Sequence, residues 1–193
     1  MVLKYGVVQG RLSPMVGDFI QNFPADWRDE FRTAKRIGAT HIEWIAGAPN
    51  DPMGPVNLRH LLPAELEVPI SGICADWLVT ETKHNEKFYL LQHRVEDTAF
   101  DATRLKIDRI ILPFLEGSSF QLLRANSRED FHIILDLMEQ YAWDYREIRF
   151  SYETDLDLEG MKEFVKWSKI CRRMPRVTFD MTNLPRLGYD LNA

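Results

Sequence analysis

Short apolar runs alternate along the chain with longer segments of helical spacing, and this alternation constrains the fold more than any other feature. Each run has the length and apolar content of a strand that is buried on both faces of a parallel sheet. Strands that alternate with helices predict right-handed crossovers and an α/β fold. The apolar runs are residues 5–8, 41–45, 70–75, 109–115, 148–152 and 176–179.

The segments between these runs carry the start and stop signals of helices. Gly38 stands where it can end the first helix, and Ser127 with the acids after it has the form of a capping box. Three prolines in residues 48–57 mark the one connection that is poor in helix signals. The predicted helices cover residues 25–38, 86–105, 127–138 and 158–172.

Composition and charge exclude several classes of function. The chain has 193 residues, of which 45% are hydrophobic, so we expect a single domain over residues 1–193. The formal net charge of -5 and the lack of a basic run argue against a nucleic-acid partner. No segment of the sequence has the length and apolar content of a membrane span. Cys74 and Cys171 lack metal-binding spacing, which indicates reduced thiols in a cytoplasmic protein.

Two parallel α/β architectures fit the pattern: an open doubly wound sheet and a barrel of eight strand-helix units. A dinucleotide-binding open sheet would place a glycine-rich phosphate loop after the first strand. Residues 9–14 read Gln-Gly-Arg-Leu-Ser-Pro and contain one glycine. The sequence therefore favours the barrel but leaves the open sheet as an alternative.

An acidic residue stands at or near the end of five of the apolar runs. The carboxyl ends of parallel strands share one face, and five carboxylates there would repel one another unless a cation or a basic substrate neutralised them. A hard divalent metal ion fits this need. The alternative is that some of these acids cap helices or pair with arginines. The five acids are Glu43, Asp76, Glu116, Glu153 and Asp180.

Six segments, in matching order along nearly the whole chain, resemble the xylose isomerase-like TIM barrels, a family of sugar phosphate isomerases and epimerases. The same superfamily includes endonuclease IV-type enzymes. The resemblance implies a TIM-barrel-like α/β fold with about six of the eight strand-helix units, since a full barrel takes about 250 residues. The segments are GVVQGRLSP, IQNFPADWRDEFRTAKRIGATHIEWI, SGICADW, IILPFLEGSS, YETDL and FDMTNLPRLGYD.

The resemblance also implies a metal site. In that family the acids that end the fifth and sixth strands are metal ligands, and they match Glu153 and Asp180 here. Glu153 is further implied as a catalytic acid-base residue, and the cofactor would be a divalent ion of Mn, Mg, Co or Zn. Asn183 agrees with the family pattern Asp-Thr-Gly-Asn, whereas Thr182 replaces its glycine. The family's other two ligands come from a seventh and an eighth strand, beyond the six units found here.

A small sugar or sugar phosphate is the substrate that the resemblance implies. Arg11, after the first strand, is a candidate for holding a phosphate or carboxylate group, and an ordinary loop ion pair is the alternative. Trp77 is a candidate for stacking on a sugar ring, although aromatic residues at this place also pack the rim. The predicted substrate-binding residues are Arg11, Glu43, Asp76, Trp77, Glu116 and Asn183.

Three interpretations of the function remain open: an active isomerase or epimerase that completes its site by association, a catalytically inactive relative that binds or regulates, and a fragment of a longer enzyme. Endonuclease IV-like hydrolysis ranks below them. Its three-metal chemistry needs several histidines, and none of the five histidines here ends a strand in the required place. A six-stranded sheet has two unpaired edges, so we expect a homodimer or a second chain to cover them.

Overall fold

In the computed structural model the described residues are 4–14, 23–24, 26–47, 57–80, 87–171 and 176–178. They contain six parallel strands in one sheet, and neighbouring strands follow the order of the chain. The strands are β1 (Gly6–Val8), β2 (His41–Ile45), β3 (Ile70–Cys74), β4 (Arg109–Phe114), β5 (Arg149–Thr154) and β6 (Arg176–Thr178).

Helices lie between the strands. Short 3-10 helices occupy Leu58–His60 and Pro63–Glu65 between β2 and β3, and Glu116–Ser118 after β4. The α-helices are α1 (Arg28–Arg36), α2 (Trp77–Thr80), α3 (Lys87–Leu105), α4 (Phe120–Asn126), α5 (Arg128–Asp144) and α6 (Leu158–Ser168).

The sequential strand order identifies the architecture. Every neighbouring pair of strands is parallel, and β4 pairs with β5 along its full length, from Arg109 with Arg149 to Phe114 with Thr154. An open doubly wound sheet would instead reverse its strand order at a switch point. The prediction of TIM-barrel-like repeats with six units is therefore confirmed, and the open-sheet alternative is wrong.

The core lies between the sheet and the helices. Ile42 and Trp44 of β2 are fully buried, and the Trp44 ring stacks on Phe31 of α1 with ring centroids 5.5 Å apart. On β5, the Tyr152 ring packs against Phe164 of α6 with centroids 6.2 Å apart. Because side chains alternate along a strand, the intervening residues point to the opposite side of the sheet. We call that side the inner face.

Local signals in the sequence set the helix ends. At the start of α5 the hydroxyl of Ser127 accepts a hydrogen bond from the Asp130 amide at 3.2 Å, which confirms the predicted cap. At the start of α6 the Asp157 carboxylate accepts from the Gly160 amide at 2.7 Å. Helix α1 ends before Gly38, whose φ of 81° lies in the left-handed region that glycine adopts without strain.

Helices α2 and α4 are not predicted by the apolar pattern, because each is too short to show a helical period. They place Trp77 and Phe120 in the core, at 3% and 0% exposure. None of the helices in the described part of the chain is long and apolar enough to cross a lipid bilayer.

Candidate functional site

Three of the acids singled out in the sequence lie near one another on the inner face. Glu43 in β2 and Glu153 in β5 alternate with buried residues that face the helices, so both side chains project from the inner face. Asp76 follows β3 directly after Ala75, at the carboxyl end of the sheet. The strands thus bring together acids that are far apart in the sequence.

The thiol of Cys74, the last residue of β3, reports the charge of this region. Burial raises the pKa of the Cys74 thiol well above its ordinary value, and the negative charges of Glu43, Asp76 and Glu153 raise it further. Like charges disfavour the thiolate only when they lie close, since more distant charges are screened. The three acids therefore act on one point of the inner face.

Glu43 has a cationic partner that reasoning from the sequence missed. Arg109, the first residue of β4, donates from Nη2 to Glu43 Oε2 at 3.2 Å. Burial raises the pKa of Glu43, and the charge of Arg109 opposes that rise. The arginine can cross β3 because Gly72 has no side chain: a Cβ there would lie 2.6 Å from Arg109 Nε. Glu43 thus lies within β2, not at its end, and is held in an ion pair.

A buried carboxylate on α1 holds the loop after β1. Glu30 is 1% exposed and accepts hydrogen bonds from the Gly10 amide and the Ser13 hydroxyl, each at 2.9 Å. Burial raises the pKa of Glu30, and these two hydrogen bonds oppose the rise. The signal was present in the sequence, because Glu30 stands within the apolar stripe of Trp27, Phe31 and Ala34.

Gln9 is a second buried polar residue that the sequence analysis did not single out. Gln9 is 1% exposed. Its backbone N–H donates to the Glu43 carbonyl at 2.9 Å, and its side-chain oxygen accepts from the backbone N–H of Ile45 at 3.0 Å. It therefore fixes the carboxyl end of β1 against β2. A single glutamine after a short strand gave no pattern from which this could be read.

The other predicted substrate-binding residues are spread over the rim. Arg11 is exposed in the loop after β1, and Glu116 is exposed after β4 with a φ of 48°, where a non-glycine backbone carries about 1 kcal/mol or more of strain. Trp77 is 3% exposed, and its indole Nε1 has no hydrogen-bond partner among the described residues. Asp180 and Asn183 lie outside the described residues. The substrate-binding roles of all these residues stay predictions.

The donors of the inner face suit a hard cation, since carboxylate oxygens are the ligands that Mg²⁺ and Mn²⁺ prefer. Within the described ranges, no three His, Cys, Asp or Glu side chains are arranged so that they could hold a metal ion. The predicted pair of Glu153 and Asp180 is described only at Glu153. The metal assignment therefore stays a prediction.

Two solved structures are similar to this chain. A xylose isomerase-like TIM barrel protein from Mycobacterium smegmatis in complex with magnesium matches it with a TM-score of 0.59 and 16% identity, over 97% of this chain and 67% of that one. A xylose isomerase-like TIM barrel/4-hydroxyphenylpyruvate dioxygenase fusion protein matches with a TM-score of 0.44 and 15% identity, over 79% and 22%. No protein-family model and no curated protein matches the sequence. The first likeness shows the fold: this chain is built as consecutive strand-helix units of a TIM barrel.

Proposed function

We propose that the chain is a sugar or sugar-phosphate isomerase or epimerase that moves a proton next to a substrate carbonyl with the help of a divalent metal ion. The observation that carries this proposal is the group of Glu43, Asp76 and Glu153 on the inner face of a TIM-barrel-like sheet. In this fold, substrates are bound and converted at the carboxyl ends of the strands. The magnesium in the similar protein from Mycobacterium smegmatis is in line with an acidic site.

Glu153 and Asp180 are the residues that would hold the ion in this proposal. When bound, the ion would polarise the oxygens of the substrate and offset negative charge that develops on them. Glu153 is also the residue that we expect to take the proton from the carbon next to the carbonyl and to return it. Arg109 holds Glu43 in an ion pair, which favours the charged form of that carboxylate against the effect of burial and orients it beside the site.

The substrate would lie across the rim of the sheet. Arg11 is exposed on the loop that Glu30 fixes, and we propose that it binds a phosphate or carboxylate group of the substrate. The buried Glu30 would then position the loop without touching the substrate. The remaining members of the proposed substrate-binding set are Glu43, Asp76, Trp77, Glu116 and Asn183.

Calorimetric titration with Mn²⁺ tests the metal site. We expect weak binding to the wild-type chain and weaker binding to Glu153→Ala and to Asp180→Ala, because two carboxylates provide only part of a site that takes about six oxygen donors. Glu159→Ala is the matched control, since Glu159 is an exposed acid on α6 that pairs with Lys162. Equal affinity in the wild type and both site variants would reject the assignment.

Alkylation of Cys74 gives a second readout in a Cys171→Ser background, where Cys74 is the only thiol. A cation bound near the acids would offset the charges that raise the pKa of Cys74, so Mg²⁺ should speed alkylation. Glu153→Gln should speed it without Mg²⁺ and remove most of the response to Mg²⁺. An identical alkylation rate in this variant would place Glu153 away from Cys74.

Proton transfer itself is measured by deuterium exchange. The protein with Mn²⁺ or Mg²⁺ is incubated in D₂O with a panel of aldoses, ketoses and their phosphates, and exchange at the carbon next to the carbonyl is followed by NMR. We expect exchange that Glu153→Gln abolishes and Glu159→Gln leaves unchanged. Metal binding without exchange on any member of the panel would contradict the isomerase proposal and favour a binding module.

A further inference from the structure

A cavity opens on the inner face at the end of the sheet opposite to the acids, where the strands begin. Its volume is about 420 Å³. Lys4 precedes β1, His41 begins β2, Arg109 begins β4 and Arg149 begins β5, so residues at the beginnings of four strands line it. The acid in the lining is Asp108. Basic side chains therefore gather at this end, whereas acids gather at the carboxyl end.

The strand register places two arginines of this cavity side by side. Arg109 pairs directly with Arg149 in the parallel ladder of β4 and β5, so both project from the same face, and adjacent strands lie about 4.8 Å apart. Two like charges at neighbouring positions of a sheet destabilise it unless an opposite charge lies between or beside them. A negatively charged group between or beside the two arginines would therefore stabilise this part of the sheet.

The nearby carboxylates bind only some of the N–H groups of these two arginines. Arg109 donates to Glu43 from one Nη atom, and Arg149 donates to Asp108 from one Nη atom. The Nε atoms of both arginines are buried and have no hydrogen-bond partner in the described part of the chain. A donor that is buried without a partner destabilises the protein, and it does so more strongly when the group is charged. Each guanidinium thus retains donors for a further acceptor.

We propose that this cavity is a binding site for a small anion of the phosphate class, held by Arg109 and Arg149 with Lys4 and His41 beside them. The planar guanidinium fork matches the oxygen geometry of a phosphate, and two adjacent forks can hold one phosphate group from both sides. The side chains of Arg109 and Arg149 are 35% and 39% exposed, so a solute can reach them and a modest shift can present Nε. The site lies at the opposite end of the sheet from the acids of the proposed isomerase site, and the ion pair of Glu43 and Arg109 connects the two.

Calorimetric titration with inorganic phosphate, at constant ionic strength set with chloride, tests the site. We expect Arg149→Gln to weaken phosphate binding about tenfold or more, since one charge-assisted hydrogen bond corresponds to at least that factor. Lys4→Gln should weaken it less. Arg128→Gln is the matched control, because Arg128 is an exposed arginine that also forms an ion pair, with Glu163 on the helical side. A parallel titration with a hexose phosphate distinguishes free phosphate from a phosphorylated metabolite.

Gly72→Ala gives an independent test that leaves the charges unchanged. The new methyl group would lie 2.6 Å from Arg109 Nε and must displace that side chain, so phosphate affinity should fall while Arg149 is intact. Circular dichroism checks that each variant is folded. Equal phosphate affinity in the wild type, Arg149→Gln and Gly72→Ala would overturn the proposal, as would the absence of binding of both phosphate compounds to the wild type.

Discussion

Glu163 of α6 joins three helices through its carboxylate, and its replacement by glutamine gives a sharp test of how these helices are held. It accepts hydrogen bonds from Arg124 Nε of α4 at 2.9 Å, from Arg128 Nη2 of α5 at 3.0 Å and pairs with His132 Nε2 of α5 at 3.1 Å. Glu163→Gln keeps the size of the side chain and removes its charge. The change therefore isolates the electrostatic part of the contact.

The size of the effect follows from the pKa of Glu163. The hydrogen bond from Arg124 is the main cause that lowers this pKa from 4.5 to about 2, burial opposes it, and Arg128 adds to the lowering. The whole shift corresponds to about 3 kcal/mol. Because Arg128 and His132 are 69% and 50% exposed, screening by solvent reduces the expected loss in Glu163→Gln to about 1–2 kcal/mol.

The pH dependence has a definite sign. Since the folded-state pKa of Glu163 lies below its ordinary value, the stabilisation is present above about pH 4.5 and is lost as the pH falls from 4.5 toward 2. Urea unfolding at a series of pH values should therefore show a lower unfolding free energy for Glu163→Gln at neutral pH and a smaller loss in acid. In thermal unfolding at neutral pH the variant should melt about 2–8 °C lower.

Glu159→Gln is the control for this experiment. Glu159 lies on the same helix, is 69% exposed and pairs with Lys162, so its replacement should change the unfolding free energy by less than about 0.5 kcal/mol. The reasoning is refuted if Glu163→Gln and Glu159→Gln have the same unfolding free energy at neutral pH, or if the acid-induced loss of stability in Glu163→Gln equals that of the wild type.

Two further predictions concern Glu30 and the surface of α6. Burial raises the pKa of Glu30, so its contribution to stability should fall as the pH rises from 4.5 through the pKa of the folded state. In urea unfolding, Glu30→Gln should remove this dependence on pH. An unchanged slope of unfolding free energy against pH in the variant would contradict the prediction. Leu158 and Val165 are 66% and 42% exposed on α6, and we propose that two copies associate there. Light scattering over a dilution series should show a dimer that Val165→Glu weakens and Phe100→Glu, at a more exposed site on α3, does not; a wild-type monomer at all concentrations would exclude it.

The sequence predicts the strands well because strands buried on both faces are apolar over nearly their whole length. Most strand ends agree with the predicted ones to within a single residue, and the largest error occurs where the strand continues beyond the apolar run. The fifth run ends at Tyr152, but β5 continues through Glu153 and Thr154, which pair with Pro113 and Phe114 of β4. The apolar pattern does not include polar strand residues that face away from the helices, although these residues form the candidate site.

The partners of the site residues were harder to predict than the residues themselves. Glu43 could be singled out from its place in an apolar run, but its ion pair with Arg109 depends on a register shift between β2 and β3 next to Ile42 and on the missing side chain of Gly72. Neither leaves a pattern in one sequence, because each is a property of how strands align across the sheet. The same alignment places Arg109 beside Arg149, so the basic cavity was equally hidden.

The ion pair of Glu43 and Arg109 divides the inner face into two regions of opposite charge. On its carboxyl-end side, Glu43, Asp76 and Glu153 act together on Cys74, and on its amino-end side Arg109 and Arg149 line the basic cavity. Each member of the pair partly offsets the charge of the opposite region: Arg109 neutralises part of the negative charge at the acids, and Glu43 neutralises part of the positive charge at the arginines. An anion that binds Arg109 would weaken its ion pair with Glu43 and free that carboxylate for a cation. A cation that binds Glu43 would likewise free Arg109 for an anion, so each ion would favour the binding of the other.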